Sequence, residues 1–156
     1  MNYAEIKFPD VSNGTGVRVS LFVAGCRMNC YNCFNKEAQD FNYGQLYTSE
    51  TKKEILEKLD LTYIKGLSIL GGDPMEPENQ KEIADLVAEA KKNHPEKDIW
   101  LWTGRIYPDL PITDYTSTIL ENLDVLVDGP FVESLKDLSL EWRGSSNQRI
   151  LTREDL

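Results

Sequence analysis

Three thiols crowd into eight residues. Cys26, Cys30 and Cys33, spaced Cys-x-x-x-Cys-x-x-Cys, are the only cysteines of the 156-residue chain. An odd, crowded set cannot build a disulfide framework, and clustered thiols in a reducing compartment hold a metal or do redox chemistry. Gly25, Asn29 and Asn32 in the same segment permit the left-handed conformations that a wrapping loop needs, so the three thiolates can converge on one centre. Iron–sulfur clusters normally take four cysteines; a 4Fe–4S cube held by three leaves one iron open to a substrate. Zinc is the rival, but structural zinc wants four N/S ligands, and the single histidine, His94, lies at the expected end of a distant helix. Three reduced thiols that simply pack are the plainest alternative, weakened by their crowding on a loop. A cluster therefore ranks ahead of zinc, and zinc ahead of packing.

A second grouping, Gly71-Gly72-Asp73-Pro74, closes a buried-strand pattern. Without side chains, Gly71 and Gly72 let backbone approach a ligand closely, and strand-end carbonyls accept hydrogen bonds from an ammonium. Asp73 adds charge or caps the next helix. An ordinary strand-to-helix turn with Pro74 opening the helix is the alternative, preferred if the cysteines were absent.

Regular elements must bring these groups together. Val17–Val23, between Asn13-Gly14-Thr15-Gly16 and Gly25, reads as a strand that runs into the cysteine loop. Ser49 is the expected N-cap of a helix to Asp60, with Ile55, Leu56 and Leu59 on one face. Gly66–Leu70 reads as a buried strand, Ile83, Leu86, Val87 and Ala90 as one helical face, and Asp98–Thr103 as the next strand, together a right-handed βαβ unit. Ser117–Asn122 reads as a helix and Leu123–Val127 as a strand ending at Asp128-Gly129. The expectation is a small single α/β domain spanning residues 1–156 with a mainly parallel sheet. Such sheets bind ligands at their C-terminal edge, where the cysteine loop, Gly71–Pro74, Thr103-Gly104 and Asp128-Gly129 would meet.

Composition narrows the partners. The chain is 40% hydrophobic and 28% charged, ordinary globular values. Its net charge of −9 removes the long-range attraction to phosphate backbones and anionic lipid, so neither nucleic acid nor a membrane is an expected partner, and a basic protein surface fits better. The longest apolar run, Leu21-Phe22-Val23-Ala24, is far too short to span a bilayer, and the N-terminal residues lack a basic and apolar leader, which predicts a cytoplasmic protein. A full eight-stranded (β/α) barrel needs at least about 200 residues. So short a chain has little room for a deep small-molecule pocket, which suits a loop of another protein as substrate.

Taken together, Cys26-x-x-x-Cys30-x-x-Cys33 and Gly71-Gly72-Asp73-Pro74 resemble the cluster-binding and glycine-rich motifs of radical S-adenosylmethionine enzymes. Asn13-Gly14-x-Gly16, Leu21–Cys26, Asp98–Gly104, Val125–Gly129 and Trp142-Arg143-Gly144-Ser145-Ser146-Asn147-Gln148 narrow the resemblance, over nearly the whole chain, to activating proteins of anaerobic ribonucleoside-triphosphate reductases. Thr15, Phe34 and Leu70 depart from residues that this family often has. The resemblance implies an incomplete (β/α) barrel-like sheet and a 4Fe–4S cluster on Cys26, Cys30 and Cys33, with S-adenosylmethionine on its open iron. It implies that an external one-electron reductant drives cleavage of S-adenosylmethionine to methionine and a 5′-deoxyadenosyl radical, and that a glycine of the large reductase subunit becomes a glycyl radical. By family position Asn32 and Phe34 contact the adenine, and Gly71, Gly72 and Asp73 the methionyl end. Thr103 and Asp128 are candidates for the ribose or the methionyl group. Another radical S-adenosylmethionine enzyme would share both motifs but lack Trp142–Gln148. A non-enzymatic iron–sulfur carrier would normally have a fourth cysteine, and a zinc module would be colourless.

The remaining features read more plainly. Trp100 and Trp102 share a sheet face at period two and read as core. His94 suits a surface helix end. Asp109–Glu141 holds eight acids against Lys136 alone, a solvated face rather than a docking surface. Arg143, Arg149 and Arg153 form a local basic exception that suggests a partner contact.

Overall fold

The computed structural model describes residues 1–33 and 36–156. Seven strands form one sheet: β1 (Asn2–Asp10), β2 (Arg18–Val23), β3 (Gln45–Leu46), β4 (Gly66–Gly71), β5 (Asp98–Trp102), β6 (Val125–Asp128) and β7 (Arg149–Thr152), in the order β3-β1-β2-β4-β5-β6-β7. Three α-helices, α1 (Ser49–Leu59), α2 (Pro77–Asn93) and α3 (Thr116–Asn122), connect the central strands.

The sheet is mixed, which corrects the expected mainly parallel one. Parallel pairing joins β2, β4, β5 and β6, whereas β1 with β2, β1 with β3, and β6 with β7 are antiparallel. Connection chemistry explains the division. Each parallel pair is bridged by a helix, while β1 passes to β2 through a short glycine-containing turn that cannot make a crossover. Among the described residues no pairing joins β3 to β7, so the strands form an open sheet and no barrel closes.

The two faces of the sheet differ because side chains alternate along each strand. On one face Val19, Leu21, Leu67, Ile69, Ile99, Leu101 and Leu126 pack under Ile55 and Leu59 of α1, Ile83, Leu86 and Val87 of α2, and Ile119 of α3 in a single core. The opposite face carries Arg18, Ser20 and Phe22 of β2, Ser68 and Leu70 of β4, and Trp100 and Trp102 of β5, by the same registers. Buried Arg18 pairs with Asp98 at 2.6 Å, donates from Nε to Ser68 Oγ at 2.7 Å, and lies 5.5 Å from the Trp100 ring. Ser68 Oγ donates to the Asn13 carbonyl at 2.6 Å, which ties the Ser12–Gly16 turn onto this face. Asp10 accepts from Ser20 Oγ at 2.5 Å and Asn13 Nδ2 at 2.7 Å. Burial opposes its ionisation, but the hydrogen bonds from Ser20, Asn13 and Ser12 win and hold its carboxyl below the usual value.

One helix start differs from expectation, and another excludes the plain-turn alternative for Pro74. Thr48, not Ser49, caps α1: its hydroxyl accepts from Thr51 N, and Thr51 Oγ1 accepts from Thr48 N at 3.1 Å, a reciprocal capping box. Helix α2 starts at Pro77 rather than Pro74, because Asp73 Oδ1 takes the Met75 amide at 2.9 Å and closes a turn first. No helix among the described residues is long and apolar enough to cross a membrane.

Candidate functional site

The C-terminal ends of β2, β4 and β5 open into a cavity of about 450 Å³ whose wall includes Cys26, Cys30, Cys33, Gly71, Gly72 and Thr103. Local conformation makes this possible. Past β2, Gly25 N donates to Ala38 O at 2.6 Å and Cys26 N to Gln39 O at 3.1 Å, and Asn29 and Asn32 adopt φ of 48° and 54°. The loop therefore curls in the left-handed region that asparagine tolerates. All three thiols are half-buried and free. Among the described residues no three His, Cys, Asp or Glu side chains are gathered as ligands of a single ion, and the three thiols line one cavity. Burial pushes the Cys26 thiol up to about 11, with Asp73, Glu76 and Cys30 adding repulsion, so a metal bound there must displace a proton.

Gly71 and Gly72 reach the cavity wall through close backbone contacts. Gly72 N donates to Val23 O at 2.8 Å and Asp73 N to Gly25 O at 2.8 Å. At Gly71, φ is +117° and a Cβ would lie 2.4 Å from Val23 O; at Gly72 it would lie 2.7 Å from both Ala38 O and Gly25 O. Glycine is thus required by packing against the root of the cysteine loop, whatever ligand follows. Gly71→Ala is expected to lower unfolding free energy by about 2 kcal/mol through crowding and strain. Urea denaturation reads this, and an unchanged midpoint would contradict the close approach.

Asp73 lies behind the wall, fully buried. Its carboxylate accepts from Thr103 Oγ1 at 2.9 and 3.0 Å, Gly104 N at 3.0 Å and Met75 N at 2.9 Å, which locks the β4–α2 turn to the loop after β5. Burial pushes its carboxyl from 3.8 up to about 6, against the opposing hydrogen bonds. Because the folded value is raised, Asp73 favours folding fully below about pH 4 and loses that contribution as the pH rises through 6. Asp73→Asn is expected to remove this slope. The difference in unfolding free energy between parent and variant, followed from pH 4 to 7, measures it; a flat difference would contradict the burial.

The other expected site residues are placed as follows. Thr103 lines the cavity, with its hydroxyl donated to Asp73. Asp128 does not reach the wall: it is 1% exposed and receives Arg149 Nε at 2.9 Å, Arg149 Nη2 at 2.5 Å and the Tyr107 amide at 2.7 Å. Asn32 is exposed on the loop, and Phe34 lies outside the described residues. Trp100 is core, as expected, but Trp102 is a cavity wall, its Nε1 donating to Trp142 O at 2.7 Å.

With this geometry in view, similarity decides the family. The 4Fe-4S single cluster domain matches residues 12–151. An anaerobic ribonucleoside-triphosphate reductase-activating protein of Enterobacteria phage T4 is 43% identical over 155 residues, covering 99% of this chain and 96% of the relative. The chain belongs to this family of activating proteins. Relatives of the same description from Vibrio cholerae and Escherichia coli K12 are 45% and 43% identical, over 96% and 95% of this chain and 97% and 96% of their own lengths.

Two features of this activating-protein family member were not read as site components. Glu76, 0% exposed, takes Arg27 of the cysteine loop and Arg105 of the loop after β5, and Arg27 also pairs with Glu78 and lies 4.7 Å from the Phe41 ring. Phe131, Leu138, Leu140 and Trp142 also line the cavity, together with Arg143, which was expected only as a partner contact. Of the three late arginines, Arg149 holds Asp128, and Arg153 Nη1 donates to Leu120 O at 2.6 Å and Leu123 O at 2.8 Å, closing the end of α3. His94 caps α2 and bonds Asp60 at 2.6 Å. In the acidic segment, Asp128 is buried with Arg149 and Asp124 pairs with Lys91 at 2.7 Å, so it is not uniformly a solvated face.

Proposed function

We propose that the chain is a radical S-adenosylmethionine activase that generates a glycyl radical on an anaerobic ribonucleoside-triphosphate reductase. The observation that carries this reading is that Cys26, Cys30 and Cys33 line the same cavity as Gly71 and Gly72, in a member of this family. The donor set fits the cofactors: three soft thiolates with no fourth cysteine in the chain would hold three irons of a 4Fe–4S cluster and leave one for S-adenosylmethionine. When bound and reduced by an external one-electron donor, these groups supply a carbon radical able to take a hydrogen atom from a glycine Cα of the large reductase subunit.

The chain's own residues position and protect. Gly71 and Gly72 present backbone to the methionyl end, with Asp73 fixing their turn from behind. Thr103 borders the nucleoside, Asn32 and Phe34 flank the adenine by their place beside Cys33, and Asp128, set back from the wall, holds Arg149. Phe22, Leu70 and Trp102 give the cavity an apolar floor that excludes water from a reactive carbon centre. A reducing compartment such as the cytoplasm suits three free thiols. The net charge of −9 favours a protein partner over nucleic acid.

The test is anaerobic reconstitution with iron and sulfide, then reduction with S-adenosylmethionine present, assaying 5′-deoxyadenosine and the electron paramagnetic resonance of added reductase. A brown chain that releases 5′-deoxyadenosine and gives the reductase a glycyl radical signal is expected. Cleavage without that signal overturns the partner; a colourless zinc protein without cleavage overturns the chemistry.

A further inference from the structure

The cavity wall contributed by residues 131–144 ends in a guanidinium with an unused donor. Arg143 Nη1 donates to Gln148 O at 3.0 Å, while its Nε is buried and has no hydrogen-bond partner. Nε is shut inside the wall, an uncommon and costly state for a donor, and Nη2, which makes no hydrogen bond among the described residues, is the N–H group left to meet an occupant. The turn that carries it is firmly held. Trp142 adopts φ of 66°, a strained conformation for a bulky residue, kept in place by Trp102 Nε1 on its carbonyl and by an edge contact to Trp100 at 5.8 Å. Gln148 Oε1 takes the Gly144 and Ser145 amides at 2.8 and 3.1 Å, and Gln148 Nε2 reaches Gly129 O at 3.0 Å. Such over-determination fixes Arg143 before any ligand arrives. Asp137, on the same wall, receives the Ser139 amide and hydroxyl at 2.9 and 2.5 Å; these bonds and, to a lesser degree, the nearby charge of Arg143 hold its carboxyl below the usual value, with no direct ion pair between the two among the described residues. At the lip, Leu138 lines the cavity yet is 85% exposed.

The occupant must therefore offer an oxygen acceptor to a fixed guanidinium and, at the same time, an apolar group to a residue that projects from the mouth. A free anion uses only the first. An extended polypeptide offers both at the spacing of one or two residues. We infer that Arg143 and Leu138 form the partner-recognition wall of the cavity, Arg143 donating to a main-chain carbonyl of the reductase loop and Leu138 packing on an apolar side chain of that loop. This rests on the proposed partner and names where the chain grips it.

The experiment compares equilibrium affinities of the full-length chain for full-length anaerobic reductase and, after cluster reconstitution, for S-adenosylmethionine. For Arg143→Gln the reductase Kd is expected to rise at least about tenfold, the loss of one charge-assisted hydrogen bond, with the S-adenosylmethionine Kd changed less than twofold. Arg143→Lys recovers part of the loss, since charge remains while the planar fork is gone. Leu138→Ser, an exposed position that leaves the core untouched, raises the reductase Kd about threefold and carries the test should Arg143→Gln fold poorly. If the S-adenosylmethionine Kd rises in step, Arg143 serves the nucleoside and the inference is overturned, as it is if the reductase Kd is unmoved in both variants. A wild-type chain that binds reductase but gives it no radical would fail the proposed function alone, and the affinity comparison would still decide Arg143 and Leu138.

Discussion

Replacing any one of Cys26, Cys30 and Cys33 with alanine is expected to abolish cluster binding and all S-adenosylmethionine cleavage while the fold persists. No replacement thiol exists, since the chain has only these three, and His94 is engaged by Asp60 at the far end of α2. Loss of one ligand leaves two, too few to retain a cube against chelation and exchange. The fold has little stake in the thiols: they sit half-buried on a loop outside the apolar core built from β2, β4, β5, β6 and the helices. Iron and acid-labile sulfide after anaerobic reconstitution, the visible absorbance of the cluster, and far-ultraviolet circular dichroism together read the outcome. Near-zero iron with unchanged dichroism is the expected result for each variant. A variant that keeps full iron would remove that cysteine from the ligand set, and collapse of the dichroism would show that the loop is structural.

The thiols could be read from the chain because their spacing is local. Eight residues hold all three thiols, and Asn29 and Asn32 announce the positive φ that the loop adopts. The parallel strands were legible for a related reason: Arg18–Val23, Gly66–Gly71, Asp98–Trp102 and Val125–Asp128 are apolar runs ended by Gly, Thr-Gly or Asp-Gly. The antiparallel flanks carry weaker patterns. In β1 the alternation of Ala4, Ile6 and Phe8 with Glu5 and Lys7 is only half-buried, β3 is two residues long, and β7 buries Leu151 alone of its four residues. Mixed topology followed from those three strands, and the expectation of a mainly parallel sheet failed there. The supporting acids were harder still. Asp73 and Asp128 stand at strand ends as expected, but their carboxylates face Thr103 and Arg149, choices made by loops distant in sequence. Arg27, Glu76 and Arg105 meet only after folding, across separations of 49 and 29 residues, and no local spacing marks them.

That triad sets the second large expected effect. Glu76 is fully buried, with one oxygen on Arg27 and the other on Arg105, so three loops are joined through one carboxylate: the cysteine loop, the turn before α2 and the segment after β5. The arginines reach water, with side chains 53% and 24% exposed; the carboxylate does not. Removing the cations is therefore far worse than removing the anion, because it strands a buried charge. Arg27→Met with Arg105→Met is expected to lower unfolding free energy by more than Glu76→Gln alone, because the first strands a buried carboxylate while the amide of the second keeps an acceptor for one arginine. Adding Glu76→Gln to the double variant should restore most of the loss, since the stranded charge is gone. Urea denaturation of the four proteins without iron gives the comparison, and iron retention under chelator after reconstitution should follow the same order, because Arg27 lies between Cys26 and Cys30, two of the three cysteines proposed to hold the cluster. A triple variant no more stable than the double would show that Glu76 is not the group left uncompensated, and cluster retention indifferent to all three changes would free the cysteine loop from this anchor.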